Sequence, residues 1–205
     1  MQNLTELAVA AKAFDLQLSE QQLSQLDGYL SLIQKWNKAY NLVGTSNKQE
    51  LIVKHLLDSL VIAPYVKVSP VLDVGSGAGL PGIPLAIALP DISFTLLDAN
   101  SKKTRFMRQT VIELELKNVQ IEHTRIESYF PENKKNTVIS RAFAPLEDAL
   151  ERLSKVCAQP GQILIMLGLE PKSLPDIAGI NTMAIHSLSI PGLSSKRHLL
   201  VADKK

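Results

Sequence analysis

The stretch that most constrains this chain runs from Val71 to Leu89. The apolar run Val71-Leu72-Asp73-Val74 reads as a buried strand. It breaks at once into Gly75-Ser76-Gly77-Ala78-Gly79. An apolar helical pattern follows and stops at Pro90, which cannot continue a helix interior. Strand, glycine turn and helix in that order set backbone N–H groups and a positive helix terminus against a nucleotide-like ligand. The glycines are needed because a Cβ would hold the ligand off the backbone, and because the turn wants positive φ.

Spacing narrows the ligand. The dinucleotide fingerprint is Gly-x-Gly-x-x-Gly, and it fails here because its sixth position is Leu80. The pattern present is Asp73-x-Gly75-x-Gly77-x-Gly79. An acid at the strand end would repel a pyrophosphate and favour a cation or an amine. S-adenosylmethionine carries a sulfonium and an α-amino group, so its charge suits this loop. The second strand, Phe94-Thr95-Leu96-Leu97-Asp98, ends in an acid 25 positions after Asp73. A carboxylate there can accept both hydroxyls of a ribose.

The 205 residues, 45% of them hydrophobic, allow one α/β domain with a modest extension and a full core. No apolar run is long enough for a membrane span. Met1 to Glu6 show no basic segment followed by an apolar one, so no secretory signal is expected and cytoplasm is the expected compartment. Cys157 is the single cysteine, which excludes an intramolecular disulfide and a cysteine-rich metal site. The net charge of +2 is too small to imply nucleic acid by itself. Its distribution says more: Lys102, Lys103, Arg105 and Arg108 form one basic cluster, and Lys196, Arg197, Lys204 and Lys205 another. Each is equally what a solvated face carries.

In chain order, a short helix is expected over 3–14. A capping box, Ser19 with Gln22, then opens a long helix to Tyr40, with Leu23, Leu26, Leu30 and Ile33 as its apolar stripe. A loop over 41–47 leads to a helix over 48–65, with Ile52, Leu56, Leu60 and Ala63 on its buried side. Residues 1–68 thus read as a helical segment and 69–205 as the α/β domain. Strands are expected at 71–74, 93–98, 119–123, 137–141 and 162–167, with helices at 82–89, 102–116 and 146–158 between them. Two last strands, 183–190 and 198–203, are joined by a turn too short for a parallel crossover and pair antiparallel. The fold class is α/β, a seven-stranded, mostly parallel Rossmann-like sheet with an antiparallel edge hairpin and helices on both faces. Ligands of such sheets bind at the carboxyl ends of the strands. That rim carries Asp73 with the glycines, Asp98 to Ser101, His123 to Glu127, and Ser140 to Pro145. Arg125-Ile126-Glu127 would meet an adenine, or is a plain strand-to-loop junction.

These residues resemble class I S-adenosylmethionine-dependent methyltransferases, and more narrowly the bacterial small-subunit rRNA guanine-N7 methyltransferases, the RsmG (GidB) family. The resemblance covers nearly the whole chain. It rests on Leu80-Pro81-Gly82-Ile83-Pro84 after the glycines, on Lys35-Trp36-Asn37-Lys38-Ala39-Tyr40-Asn41-Leu42, and on His55-Leu56-Leu57-Asp58-Ser59. Leu97-Asp98-Ala99, Ile139-Ser140-Arg141-Ala142-Phe143-Ala144 and Arg197-His198-Leu199 add to it. The resemblance implies S-adenosyl-L-methionine as cofactor, with Gly75, Gly77 and Leu80 in contact with it, Asp73 near its methionine end and Asp98 on its ribose. It implies Ile126 and Glu127 beside the adenine, and Arg141 where cofactor and target base meet. Lys102, Lys103, Arg105, Arg197 and His198 would face RNA. The implied substrate is one guanine, position 527 in the 530 loop of 16S rRNA, within the 30S particle or a precursor, with no metal or membrane partner. A monomer is expected.

Two positions depart from the family pattern. Leu167-Gly168 stands where the family usually has Lys-Gly, and Asn41-Leu42-Val43 where it has Asn-Leu-Thr. Leu167 leaves open an adjusted site, a weakened one, or simply one more apolar strand residue. A ribosome-assembly factor of the same fold without turnover, or a small-molecule methyltransferase, are the competing readings. Guanine N7 has a free lone pair and no proton, so its methylation needs no general base, and positioning can supply much of the acceleration. Ser140-Arg141-Ala142 replaces the Asn-Pro-Pro-Tyr typical of exocyclic-amine methylation. Arg141 could donate to guanine O6 or simply pair with a nearby acid. Cys157 reads as a buried thiol inside a helix, off the active rim. His55, His123, His186 and His198 have no metal-site spacing, and packing or surface roles suit His55 and His186.

Overall fold

The computed structural model of the chain describes residues 2–141 and 144–205, with side chains from Thr5 onward. Ala142 and Phe143 of the Ser-Arg-Ala-Phe-Ala segment lie outside the described residues. Strands β1 (Val71–Val74) and β2 (Phe94–Asp98) are buried along their whole length. That accounts for their near-unbroken apolar composition, since a strand covered on both faces has no position to give to water. Around them lie β3 (Val119–His123), β4 (Lys135–Arg141), β5 (Cys157–Leu167), β6 (Thr182–Leu188) and β7 (Arg197–Lys204), in the order β3-β2-β1-β4-β5-β7-β6. β7 is antiparallel to both its neighbours, and the other pairings are parallel. The expected seven-stranded, mostly parallel sheet forms. Strand order reverses between β1 and β4, so the crevice for a ligand opens beyond their carboxyl ends.

Helix α2 (Glu20–Tyr40) starts as its sequence requires: Ser19 Oγ accepts from Gln22 N at 3.2 Å, and Gln22 Oε1 accepts from Ser19 N at 2.8 Å. It follows α1 (Gln2–Lys12) and ends at Asn41 in the left-handed region, φ 47°. The single helix expected over 48–65 is a composite. α3 (Lys48–Leu51) passes into a π-helical turn, Ile52–Leu57, then α4 (Asp58–Leu60) and a 3₁₀ turn, Ala63–Tyr65. The spacing of Ile52, Leu56 and Leu60 reports which side is buried and is blind to the hydrogen-bond offset. Pro64, with no N–H, suits the start of a new short turn.

The α/β crossovers are α5 (Gly82–Ala88), α6 (Ser101–Glu113) and α7 (Leu146–Val156). Cys157 is a correction: its backbone is extended, φ −77° and ψ 136°, and it opens β5 instead of lying in the helix. The apolar run Val156-Cys157-Ala158 fits either state, and the chain passes from α7 into the strand without a loop. The thiol is fully buried, which pushes it up to about 11.

One core lies against one sheet face, where Leu26, Leu30, Ile33, Leu56 and Leu60 of the N-terminal helices pack with Ile83, Phe94, Leu96 and Phe106. The other holds Leu150 and Leu153 of α7 against Val138, Ile163 and Leu200. The N-terminal helices thus share a core with the glycine-turn helix. A buried polar tie joins them to the turn: Tyr29 Oη, wholly buried, donates to Ala78 O inside the glycine turn at 2.7 Å. Burial raises its phenol well above the ordinary tyrosine value, so it stays a donor. Tyr29→Phe leaves a buried carbonyl unsatisfied and should cost about 1–3 kcal/mol. Thermal unfolding should show a drop of roughly 2–4 °C for each kcal/mol lost; an unchanged midpoint would contradict the tie.

Candidate active site

The glycine turn owes its shape to three positive φ angles: 72° at Gly75, 60° at Gly77 and 86° at Gly79. Two of these glycines do different work. A Cβ on Gly79 would stand 2.3 Å from Ile83 Cδ1, so that glycine serves packing. A Cβ on Gly77 would meet nothing nearer than Lys103 Nζ at 3.7 Å, so this face of the backbone is open to a ligand.

Asp73 sits beneath the turn. Its carboxylate has no solvent exposure, Oδ2 accepts from Gly82 N at 2.9 Å, and Oδ1 has no hydrogen-bond partner. Burial pushes its carboxyl up to about 7, against the pull of the Gly82 N–H and the Ser76 hydroxyl. The side chain joins β1 to the first turn of α5. Leu80, 2% exposed, packs in the core behind the turn.

Asp98 faces the open side. Oδ2 accepts from Gly77 N at 2.8 Å and Oδ1 from Asn100 N at 2.8 Å. Asn100 in turn caps α6, accepting from Lys102 N at 2.9 Å and Lys103 N at 3.3 Å. Turn, strand end and helix start are therefore one hydrogen-bonded unit. A cavity of about 200 Å³ opens here, with Gly75, Asp98, Ile126 and Glu127 in its wall. Ile126–Ser128 form a 3₁₀ turn after β3, and Glu127 pairs with Arg152 of α7. These residues fit a nucleoside. Each Asp98 oxygen keeps a lone pair beyond its backbone bond, as two vicinal hydroxyls require, and Ile126 offers an apolar side to a base.

Arg141 ends β4 and lines a second cavity of about 510 Å³, with Lys54, His55, Asp58, Arg197 and His198 among its other walls. Its Nη1 reaches Asp58 Oδ2 at 3.3 Å, and Arg197 Nε donates to Asp58 Oδ1 at 2.8 Å. One buried carboxylate from the N-terminal helices thus holds two guanidiniums from the α/β part. The cavities share the rim: Ser140, the residue before Arg141, is in register with Val74, the residue before Gly75, and its Oγ donates to Val74 O at 3.1 Å. Arg141 also acts electrostatically on both Asp73 and His55.

The other residues marked for RNA divide in two. Lys102 and Arg105 are exposed on α6, and Lys102 stands 5.9 Å over the Tyr40 ring, which stacks on Trp36. Lys103 leans over Gly77. Arg197 is half-buried in the second cavity, and His198 is only 4% exposed in its wall. Leu167, at the position where the family resemblance leads one to expect lysine, lines the same cavity. From the sequence alone Asp58 has no assigned role and His55 only a packing or surface one. Their signal was present in the His-Leu-Leu-Asp-Ser segment, but a three-residue step on an amphipathic helix reads as ordinary packing.

Among the described residues no helix is long and apolar enough to cross a membrane, and no group of three or more His, Cys, Asp or Glu could hold a metal ion. The fold is shared with solved methyltransferases. The magnesium protoporphyrin IX methyltransferase of Synechocystis with bound SAM superposes with a TM-score of 0.59 over 86% of this chain and 97% of that one, at 16% identity. Sheet order, glycine turn and strand-end acid together give the chain the fold of the class I S-adenosylmethionine-dependent methyltransferases.

Residues 22–200 match the family model described as GidB, rRNA small subunit methyltransferase G. Ribosomal RNA small subunit methyltransferase G of Marinobacter nauticus is 45% identical over 94% of this chain and 91% of its own length. The protein of the same name from Ectopseudomonas mendocina is 44% identical over 96% and 94%. The chain belongs to this family, and S-adenosyl-L-methionine is its cofactor.

The raised Asp73 carboxyl has a stability consequence in the cofactor-free protein. Its unfolded value is near 3.8 and its folded value about 7, so between these the unfolded state loses the proton first and stability falls as pH rises. Above the folded value the full penalty remains. His55, lowered from 6.5 to about 4, contributes the opposite slope, so the variant must be compared with wild type. Asp73→Asn should match wild type near pH 4 and melt higher near pH 8, by roughly 2–4 °C per kcal/mol relieved. A difference independent of pH would contradict the assignment.

Proposed function

We propose that this chain transfers the methyl group of S-adenosylmethionine to N7 of one guanine of 16S rRNA, at position 527 in the 530 loop. We take its substrate to be the 30S particle or a precursor, its state to be monomeric and its compartment to be the cytoplasm. The observation that carries this reading is the shared rim: an acidic nucleoside cavity beside a larger one lined by Lys54, Arg141 and Arg197. The near full-length kinship with ribosomal RNA small subunit methyltransferases supports it.

When bound, the cofactor supplies a methyl group on a sulfonium that leaves as a neutral thioether. The chain's own residues have only to bind and to place. Asp98 and the Gly77 amide fix the nucleoside side, and Ile126 and Glu127 bound the adenine side. Arg141 donates to guanine O6, an acceptor on the same edge as N7. A cation does not help the positive charge that N7 acquires, so Arg141 orients the base. No proton leaves N7, and no general base is called for. Holding nucleophile and methyl at near-attack geometry is the main source of rate. The exposed Lys102 and Arg105 supply phosphate contacts, which weaken as salt rises.

Methyl transfer to 30S particles from cells lacking this protein tests the reading. The wild-type protein should place one N7-methylguanine in the 530 loop. Arg141→Ala should keep cofactor affinity within about threefold and lower kcat/KM at least tenfold, as loss of one charge-assisted hydrogen bond of about 1.5–3 kcal/mol requires. Tight cofactor binding without transfer by the wild type would favour an assembly factor. Wild-type turnover by the alanine variant would remove Arg141 from the site.

A further inference from the structure

His55 is a side chain for which the fold gives no reason. It projects from the π-helical turn Ile52–Leu57 into the wall of the 510 Å³ cavity. Its Nδ1 is shielded from solvent and has no hydrogen-bond partner. A buried polar atom without a partner costs free energy. The π turn that carries it is a departure from α geometry that recurs at functional sites. Of the neighbouring polar groups, Asp58 holds Arg141 and Arg197, and Arg197 also donates to Ser195 Oγ at 3.0 Å, while His198 in the same wall likewise has a buried Nδ1 without a partner.

Burial and the Arg141 charge push His55 down to about 4. At neutral pH its ring is therefore uncharged, with one nitrogen a donor and the other an acceptor. The cavity lies in the size range of small-ligand sites. Its walls mix apolar surface from Met166, Leu167, Leu188 and Leu193 with convergent polar groups, as a purine ring with polar edges demands. A methylated base must leave its stack to bring N7 to the donor, and extruded bases are read by hydrogen bonds inside such a pocket.

We propose that this cavity receives the target guanine and that the His55 imidazole hydrogen-bonds the edge of the base opposite N7. The inference rests on the rRNA reading above and deepens it. With N7 turned toward the cofactor and O6 toward Arg141, the N1–H and N2–H₂ donors face away from the cofactor. The neutral imidazole of His55, in the cavity wall, supplies an acceptor for them. His55 is thus a base-recognition residue supplied by the N-terminal helices.

The test uses the full-length protein and 30S particles lacking the modification. His55→Phe removes both nitrogens but keeps a ring, and His55→Gln restores a hydrogen-bonding group. The phenylalanine variant should fold with an unchanged or higher melting temperature and bind cofactor within about twofold of wild type. Its kcat/KM for 30S particles should fall at least tenfold, and the glutamine variant should recover at least a third of that loss on a logarithmic scale. Wild-type kinetics from a folded His55→Phe would overturn the role of His55 while leaving the rRNA reading standing. Equal losses in both variants with weakened cofactor binding would also overturn it, marking His55 as structural. No transfer to rRNA by the wild-type protein would overturn both.

Discussion

The carboxylate of Asp98 accepts from the amides of Gly77 and Asn100, and the geometry of the site follows from those two bonds. The first holds the middle of a turn whose three glycines lie at positive φ. The second fixes Asn100 so that its side chain caps α6. Strand end, glycine turn and basic helix are thereby locked together before any ligand arrives. Preorganisation of this kind matters where the chemistry needs placement more than proton transfer. Asp73 gives the same corner its underside, bonding to Gly82 where a Cβ could not be accommodated, since it would stand 2.7 Å from Asp73 Oδ2.

The N-terminal helices are part of this arrangement from two directions. Tyr29 reaches into the glycine turn at Ala78, and Asp58 clamps Arg141 and Arg197 at the mouth of the second cavity. A pair of guanidiniums a few ångströms apart would repel each other without that carboxylate. Asp58 therefore lets two cations face the same small volume, where an anionic or acceptor-rich partner meets both. Leu167 adds apolar wall there. The cavity retains three cationic side chains, Lys54, Arg141 and Arg197, so the leucine does not leave it without positive charge.

Much of this was legible in the chain itself. The apolar run Val71–Val74 gave the first strand, the Ser19–Gln22 box gave the start of α2, and the glycine spacing with Asp98 gave the nucleoside corner. What could not be read has identifiable causes. A π turn keeps the apolar side of an α-helix, so Ile52–Leu57 looked regular. Cys157 follows a helix without a loop, and its apolar neighbours suit either state. Asp73 was expected near a bound charge, yet its carboxylate turns under the loop, a choice made by the Gly82 amide 9 residues on. Asp58 meets Arg141 across 83 positions of chain, and no local pattern encodes such a contact.

A structure of the protein with S-adenosylmethionine bound tests the central claim most directly. The account predicts ribose hydroxyls within hydrogen-bond distance of Asp98 and the transferable methyl directed into the cavity shared by Arg141 and His55. A donor seated elsewhere, or a methyl group pointing away from that cavity, would contradict it.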